Sequence, residues 1–214
     1  GYLRIHDRAP LEPRFVGVDG DSVTEEYVLL TRRDRGVETL AQLRGTDLIV
    51  TKGSMTHSLA LMWLDNLLMR EGLGRKEGVF EEVREVSRTS KAVLPVFFGQ
   101  TQACLVSARL YDTVVELNPQ VGRELEAVAR SPGLPIGLLC VSERADGVLV
   151  ELFERGARDV GNYAKGRQIL TLFKLDGTAE FLPRYLNSAL AIVKEHEELS
   201  TGETRSESKV AHEN

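Results

Sequence analysis

The sequence predicts an α/β fold, and two observations carry that prediction. Compact apolar runs of strand length alternate with segments whose apolar residues recur at helical spacing. Glycine or proline closes most of these segments, where helix stops and turns are expected.

Taken in order, Gly1–Glu26 is rich in turn formers and charge, with Phe15–Val18 as its strand candidate. Tyr27–Arg32 (YVLLTR) is a strand, and Val37–Leu43 a short helix that stops at Gly45. Leu48–Thr51 is a short strand. After it, TKGSMTHS leads into a long helix in which Leu59, Met62, Trp63 and Leu67 form the apolar face, closed by Gly72. Phe80, Val83 and Val86 mark an edge strand. Thr89–Phe98 reads as a helix despite Pro95, with Gly99 as its stop. Gln102–Ser107 is a strand and Arg109–Leu117 a helix ended by Asn118-Pro119. Leu125–Arg130 and Ile136–Val141 are strands separated by the turn Ser131-Pro132-Gly133. Helices follow at Gly147–Arg158, Tyr163–Leu172 and Ala179–Leu199, the last with Pro183 in its first turn. The polar Ser200–Asn214 is expected to be a flexible tail. Cys104 and Cys140 each lie in an apolar run and read as small buried hydrophobes. A disulfide between them is open, subject to geometry.

Composition narrows the function. Over 214 residues, 42% hydrophobic and 28% charged is ordinary for a globular chain. A net charge of −5 and scattered Lys and Arg argue against nucleic-acid binding, which needs clustered cations. No apolar run reaches membrane-span length, and the opening Gly1-Tyr2-Leu3-Arg4 does not read as a signal peptide, lacking a basic start and an apolar run. Nucleotide-binding loops, the Gly-x-Ser-x-Gly elbow and CxxC pairs are absent, and the four His are far apart. His196, in the charged stretch HEEL, reads as a solvated face. Neither an enzyme, a cofactor nor a metal site is expected.

Binding a small anion needs donors aimed at one point, and a helix N-terminus supplies free N–H groups and the positive end of a dipole. Gly53–Ser58 fits that chemistry. Gly53 lets backbone approach, Ser54 and Thr56 offer hydroxyls, and His57 offers a ring N–H whose charge depends on pH. A second candidate is Arg88-Thr89-Ser90-Lys91, where Thr89 and Ser90 are donors and Arg88 can pair bidentately with an anion. Gln100, Thr101 and Tyr111 are weaker candidates, and Trp63 belongs to the core.

In this order, GYLRI, the proline-containing LEPRFVGV, YVLLTRRD, the segment Gly36-Val37-Glu38-Thr39-Leu40-Ala41-Gln42-Leu43-Arg44-Gly45, the Ser-rich turn Thr51–Ser58 and KAVLPVFFGQTQACLVSARLYD resemble the phosphonate-binding-like (PhnD-like) branch of the type 2 periplasmic binding proteins. The resemblance runs from Gly1 to Leu199. It departs where the family has Gly-x-x-Asp-Ala and this chain has Gly99-Gln100-Thr101-Gln102-Ala103, and where the opening strand-helix-strand-helix of the first lobe has no counterpart.

What the resemblance implies is a two-lobed α/β fold with a hinge of two chain crossings, near Thr31–Gly36 and Val141–Arg144. Lobe 1 is expected at 1–36 and 142–214, with its first part missing, and lobe 2 at 37–141. The implied function is the solute-binding component of an ABC importer, capturing a phosphonate, phosphite or phosphate between the lobes. Partners are then a membrane permease and an ATPase, and the location periplasmic, with a lipid anchor as one means of attachment. The alternative is a ligand-sensing input domain of a signalling protein on the same fold.

Overall fold

The computed structural model describes residues 10–52 and 55–210. Among the described residues, ten strands and eight helices follow in chain order: β1 (Leu11–Val18), β2 (Thr24–Glu25), β3 (Tyr27–Arg32), β4 (Asp47–Thr51), α1 (His57–Arg70), α2 (Lys76–Val79), β5 (Glu82–Val86), α3 (Thr89–Phe97), β6 (Ala103–Ser107), α4 (Ala108–Leu117), α5 (Pro119–Glu124), β7 (Leu125–Arg130), β8 (Leu134–Pro135), β9 (Leu138–Ser142), α6 (Gly147–Arg158), α7 (Ala164–Phe173), β10 (Gly177–Glu180) and α8 (Asn187–Val210). Packing divides the chain into two units. The first comprises the chain to Glu25 with Leu134–Leu190, the second Glu26–Gly133 with the chain from Ala191. The sequence-based boundaries stood at 36/37 and 141/142. The packing division differs because β3 pairs with β6 and β7 and so shares their sheet.

The second unit is built on a five-stranded sheet ordered β5-β4-β6-β3-β7. Strand β4 runs parallel to both β5 and β6, and β3 lies antiparallel between β6 and β7. The continuous apolar runs of β3, β4 and β6 suit this position, because a strand covered on both faces has no solvent side to mark with polar residues. One face puts Val28, Leu30, Ile49 and Cys104 against Ala92, Val93 and Val96 of α3. Residues of the opposite parity, such as Leu29, Leu48, Val50 and Leu105, are equally buried. As expected, β5 is an edge strand, and its alternating charge (EVREV) fits an exposed edge. The expected helix over Val37–Leu43 is only a 3-10 turn at Leu40–Leu43. Its start is held by the Gln42 side-chain carbonyl, which accepts from the N–H groups of Glu38 and Thr39, both at 2.8 Å. Gly45 follows with φ +70, a left-handed conformation that favours glycine.

Buried Asn66 on α1 docks α8 in the same unit. Its amide donates to the Ile192 carbonyl at 2.8 Å and to Glu195 at 3.2 Å, and its carbonyl accepts from Nδ1 of His196 at 2.7 Å. His196 is therefore half-buried against α1 rather than on a solvated face. The ion pair of Lys76 with Asp65 (2.9 Å) ties α2 to α1, both side chains being largely buried.

The first unit carries an antiparallel sheet ordered β10-β1-β9 and the two-residue pair β2-β8. Pro13 sits in the central strand, where its missing N–H is accommodated by a register shift between Pro13 and Phe15 in the pairing with β9. Phe15 is buried and meets Phe153 of α6 edge-on, with ring centroids 6.2 Å apart. Gly17 is required for packing: a Cβ there would lie 2.4 Å from the Ile136 carbonyl oxygen.

Two expectations for this region are corrected. The strand expected at Ile136–Val141 starts only at Leu138, because Gly137 takes φ +74 and breaks the chain between β8 and β9. The expected helix over Ala179–Leu199 begins only at Asn187, and Gly177–Glu180 is a strand paired with β1. Leu182, before Pro183, is held extended (φ −122, ψ 134), so helix cannot propagate back through it. At the other end, α8 continues to Val210, through most of the expected tail; 211–214 lie outside the described residues. Cys104 and Cys140 are free thiols.

Candidate functional site

In an open α/β sheet the ligand-binding edge is the one at the carboxyl ends of the parallel strands, where helix N-termini also point. In the second unit that edge is formed by the ends of β4, β5 and β6, the start of β3 and the end of β7. Each parallel strand leads into a polar, basic turn. Lys52 follows Thr51, Arg88 follows Ser87, and Arg109 comes two residues after Ser107. Lys52, Arg88 and Arg109 are all exposed.

Side-chain hydroxyls gather along the same edge. The Tyr27 hydroxyl at the start of β3 lies 3.0 Å from Oγ1 of Thr56, and both residues are buried. The backbone N–H of Tyr27 donates to Oγ of Ser131 at 2.8 Å. Ser107 is the register partner of Tyr27 across the β3–β6 ladder. It is 2% exposed, it occupies the N-cap position of α4 without making the capping hydrogen bond, and its Oγ finds no partner among the described residues. An unpaired buried hydroxyl carries a desolvation cost of about 1–3 kcal/mol, so such a group calls for an explanation.

His57 opens α1 with both ring nitrogens engaged. Nδ1 lies 2.9 Å from the Thr51 carbonyl and Nε2 3.1 Å from Oε1 of Glu85. Hydrogen bonding from His57 holds the Glu85 carboxyl below the usual carboxylate range, and Lys52, 3.6 Å away, adds to this.

Of the residues singled out from sequence, Ser54 lies outside the described residues, as do Gly53 and the GYLRI stretch. Thr56 and His57 stand at the carboxyl edge. Thr89, half-buried, and Ser90, exposed, form the first turn of α3, whose N-cap residue Arg88 makes no side-chain cap. Tyr111 is packed against the apolar cluster of the sheet, and burial pushes its phenol up. Gln100, Thr101 and Gln102 precede β6 at its amino end, with Gln102 roughly 17 Å from Ser107 along the strand. The departure at Gln102 is thus remote from the hydroxyl cluster. Sequence reasoning missed Tyr27, Ser107 and Ser131. Ser107 and Ser131 were visible only as polar residues closing apolar strands, a pattern shared with ordinary turns.

A cleft of about 310 Å³ in the first unit is lined by Glu151, Glu154, Arg155, Arg158 and Asp159. Its charges are nearly balanced, and Arg158 pairs with Glu154 and Glu180, so it offers no directed charge to a solute.

Residues 1–184 match the family described as ABC transporter, phosphonate, periplasmic substrate-binding protein. The chain belongs to this family. Solved structures agree on the fold. A Xanthomonas citri protein bound to ATP is 16% identical, with a TM-score of 0.68 over 93% of this chain and 75% of that one. A binding-protein component of an ABC phosphonate transporter from Pseudomonas aeruginosa is 14% identical, with a TM-score of 0.57 over 97% and 77%. PhnD1 from Prochlorococcus marinus in complex with methylphosphonate is 12% identical, with a TM-score of 0.57 over 90% and 74%. No curated protein matches the chain.

This phosphonate-family substrate-binding protein therefore has the two-lobed type II periplasmic-binding-protein fold that its α/β alternation and short motifs predicted. As a member of the family it is a solute-binding component of an ABC importer, extracytoplasmic, and a binding protein rather than an enzyme. Among the described residues no helix is long and apolar enough to cross a membrane.

Proposed function

We propose that this solute-binding protein captures a small tetrahedral oxyanion, a phosphonate, phosphite or phosphate, at the carboxyl edge of the β5-β4-β6-β3-β7 sheet. The observation that carries the reading is the Ser107 hydroxyl beside Tyr27, buried and without a partner among the described residues. A buried hydroxyl without a protein partner is a donor available to a ligand oxygen. Around it the first turns of α1 and α3, with Thr56, Thr89 and Ser90, supply further donors. Lys52, Arg88 and Arg109 give the rim a positive field, and the carboxylates nearby, Glu85 and Glu26, are paired with His57 and Arg130. A neutral-donor site inside a basic rim suits an anion better than a zwitterion, whose ammonium would need an unpaired carboxylate.

The lobes of the family reading are taken as the two packing units, and Ser54 remains part of the proposed donor set. A membrane permease and an ATPase are the partners that family membership implies, with a lipid anchor as one means of attachment.

Ser107→Asp tests the reading, because it puts a carboxylate where the anion would sit. Calorimetric titration with methylphosphonate is expected to show affinity falling on the order of a hundredfold or more, while Ser107→Ala loses roughly ten- to a hundredfold. An unchanged Kd in folded Ser107→Asp would place the ligand elsewhere.

A further inference from the structure

We propose that the start of α3 sets the charge class of the ligand, with Arg88 and Lys91 selecting a doubly charged oxyanion over a singly charged one. The inference rests on the carboxyl-edge reading and deepens it by naming the charge that the site takes. The start of α3 runs against ordinary helix chemistry. The first N–H groups of a helix have no acceptor within it and form the positive end of its dipole, so acids and short polar caps are favoured there. Here the N-cap residue is Arg88, its side chain makes no cap, the first turn holds no acid, and Lys91 adds a second cation at the third helical position. Both cations stand at the end of the helix that repels them. A local rule broken with no gain to the fold points to a functional position.

The fold does not neutralise these two charges. Along the same edge Lys52 is paired with Glu85 at 3.6 Å and Arg130 with Glu26 at 2.8 Å. Arg88 and Lys91 are exposed and have no acidic partner among the described residues. A second observation, independent of the helix, points to a ligand at the same place. Ala92 and Val93 share an apolar cluster with Cys104 and Val106 of β6, so the first turn of α3 stands over the carboxyl end of that strand. The strand ends in Ser107, 2% exposed, whose hydroxyl has no partner among the described residues. The donor types divide the work. Ser107, Thr89 and Ser90 are neutral and bind oxygen whatever the charge of the ligand, whereas Arg88 and Lys91 respond to its second charge. A guanidinium offers two parallel N–H groups to two oxygens of one tetrahedral anion, and an ammonium acts as a point charge. A dianion compensates both cations; a monoanion leaves one of them opposed to the dipole.

The test uses the whole chain at one mildly alkaline pH, with methylphosphonate as the dianion and dimethylphosphinate, of similar tetrahedral shape, as the monoanion. Calorimetry gives the ratio of the two affinities for wild type, Arg88→Asn, Arg88→Lys and Lys91→Glu. Wild type is expected to prefer methylphosphonate by roughly tenfold or more. Arg88→Asn is expected to weaken methylphosphonate binding roughly tenfold, the worth of a hydrogen bond to a charged group, and dimethylphosphinate binding much less, so that the ratio falls. Arg88→Lys keeps most of the preference. A merely structural role would lower both affinities alike. The second readout needs no ligand. Asparagine is a favoured N-cap, so unliganded Arg88→Asn is expected to melt about 2–4 °C above wild type. A ratio unchanged in both Arg88→Asn and Lys91→Glu, with methylphosphonate still bound, would overturn the charge selection and leave the oxyanion site standing. A lower Tm for unliganded Arg88→Asn would assign Arg88 to the fold and overturn it equally. Wild type that binds neither anion would overturn the site and the selection together.

Discussion

Replacing Asn66 by alanine removes the polar clasp that holds α8 on α1, and the structure sets the size of the effect. Three hydrogen bonds go: amide to the Ile192 carbonyl, amide to Glu195, and His196 to the amide carbonyl. Two are ordinary hydrogen bonds, worth about 1 kcal/mol each, and the one to the Glu195 carboxylate is charge-assisted, worth about 1.5–3 kcal/mol. Glu195 is one-third exposed and also pairs with Arg70 at 3.4 Å, so much of its share is recovered from water and that arginine. The Ile192 carbonyl, which lies within α8, keeps its helical partner. The net cost is then about 3 kcal/mol, which for a chain of this size lowers Tm by roughly 6–12 °C. Thermal unfolding followed by circular dichroism measures the shift, and hydrogen exchange over 191–201 reports whether α8 is the element that loosens. Asn66→Asp is the control. It keeps the shape and can still accept from His196, but sets a carboxylate against the Ile192 carbonyl and Glu195, so it is expected to cost at least as much as alanine. A Tm shift below about 2 °C for Asn66→Ala, with unchanged exchange in α8, would refute the claim that this clasp docks the helix.

Other consequences follow from packing and charge. Gly166→Ala places a Cβ 1.9 Å from the Val160 carbonyl oxygen, so the chain before α7 must move; a drop in the melting of the first unit by several degrees is expected, and an unchanged Tm would show that this approach is not fixed. Lys76 is held above its ordinary value by hydrogen bonds to Glu77 and Asp65, which outweigh the opposing effect of burial. A raised lysine stabilises fully below its unfolded value and loses that contribution as pH rises through the folded one. Asp65→Asn should therefore cost roughly 2 kcal/mol at neutral pH, the worth of a hydrogen bond to a charged group, and progressively less in strongly alkaline solution, by denaturant melts at each pH. Burial pushes the Cys104 thiol far up, whereas Cys140 is only half-buried. A thiol reagent such as DTNB should modify Cys140 first, and Cys104 only on unfolding.

The fold was legible where local sequence carries the cause. YVLLTR, DLIVT and ACLVS are short and mostly apolar, and they form β3, β4 and β6 of the central sheet. Gly45, Gly72 and Gly99 each take positive φ where a segment was expected to end. The errors fell where distant contacts decide. Gly177–Glu180 has no strong strand signal and becomes β10 only by pairing with β1, more than 150 residues away along the chain. His196 reads as a solvated face until its partner on α1, Asn66, is in place, 130 residues away. In the site, the donor-rich starts of α1 and α3 could be read from hydroxyls next to a helical pattern. The unpaired Ser107 could not, since being unpaired is a property of the surroundings.

The most direct test of the proposed function is calorimetric titration of the chain with methylphosphonate, phosphite, phosphate and, as controls, neutral and zwitterionic amino acids. The account predicts saturable one-to-one binding to at least one oxyanion, weakened by Ser107→Ala, and no binding of the controls. Binding of an amino acid, with no response to any oxyanion, would contradict it.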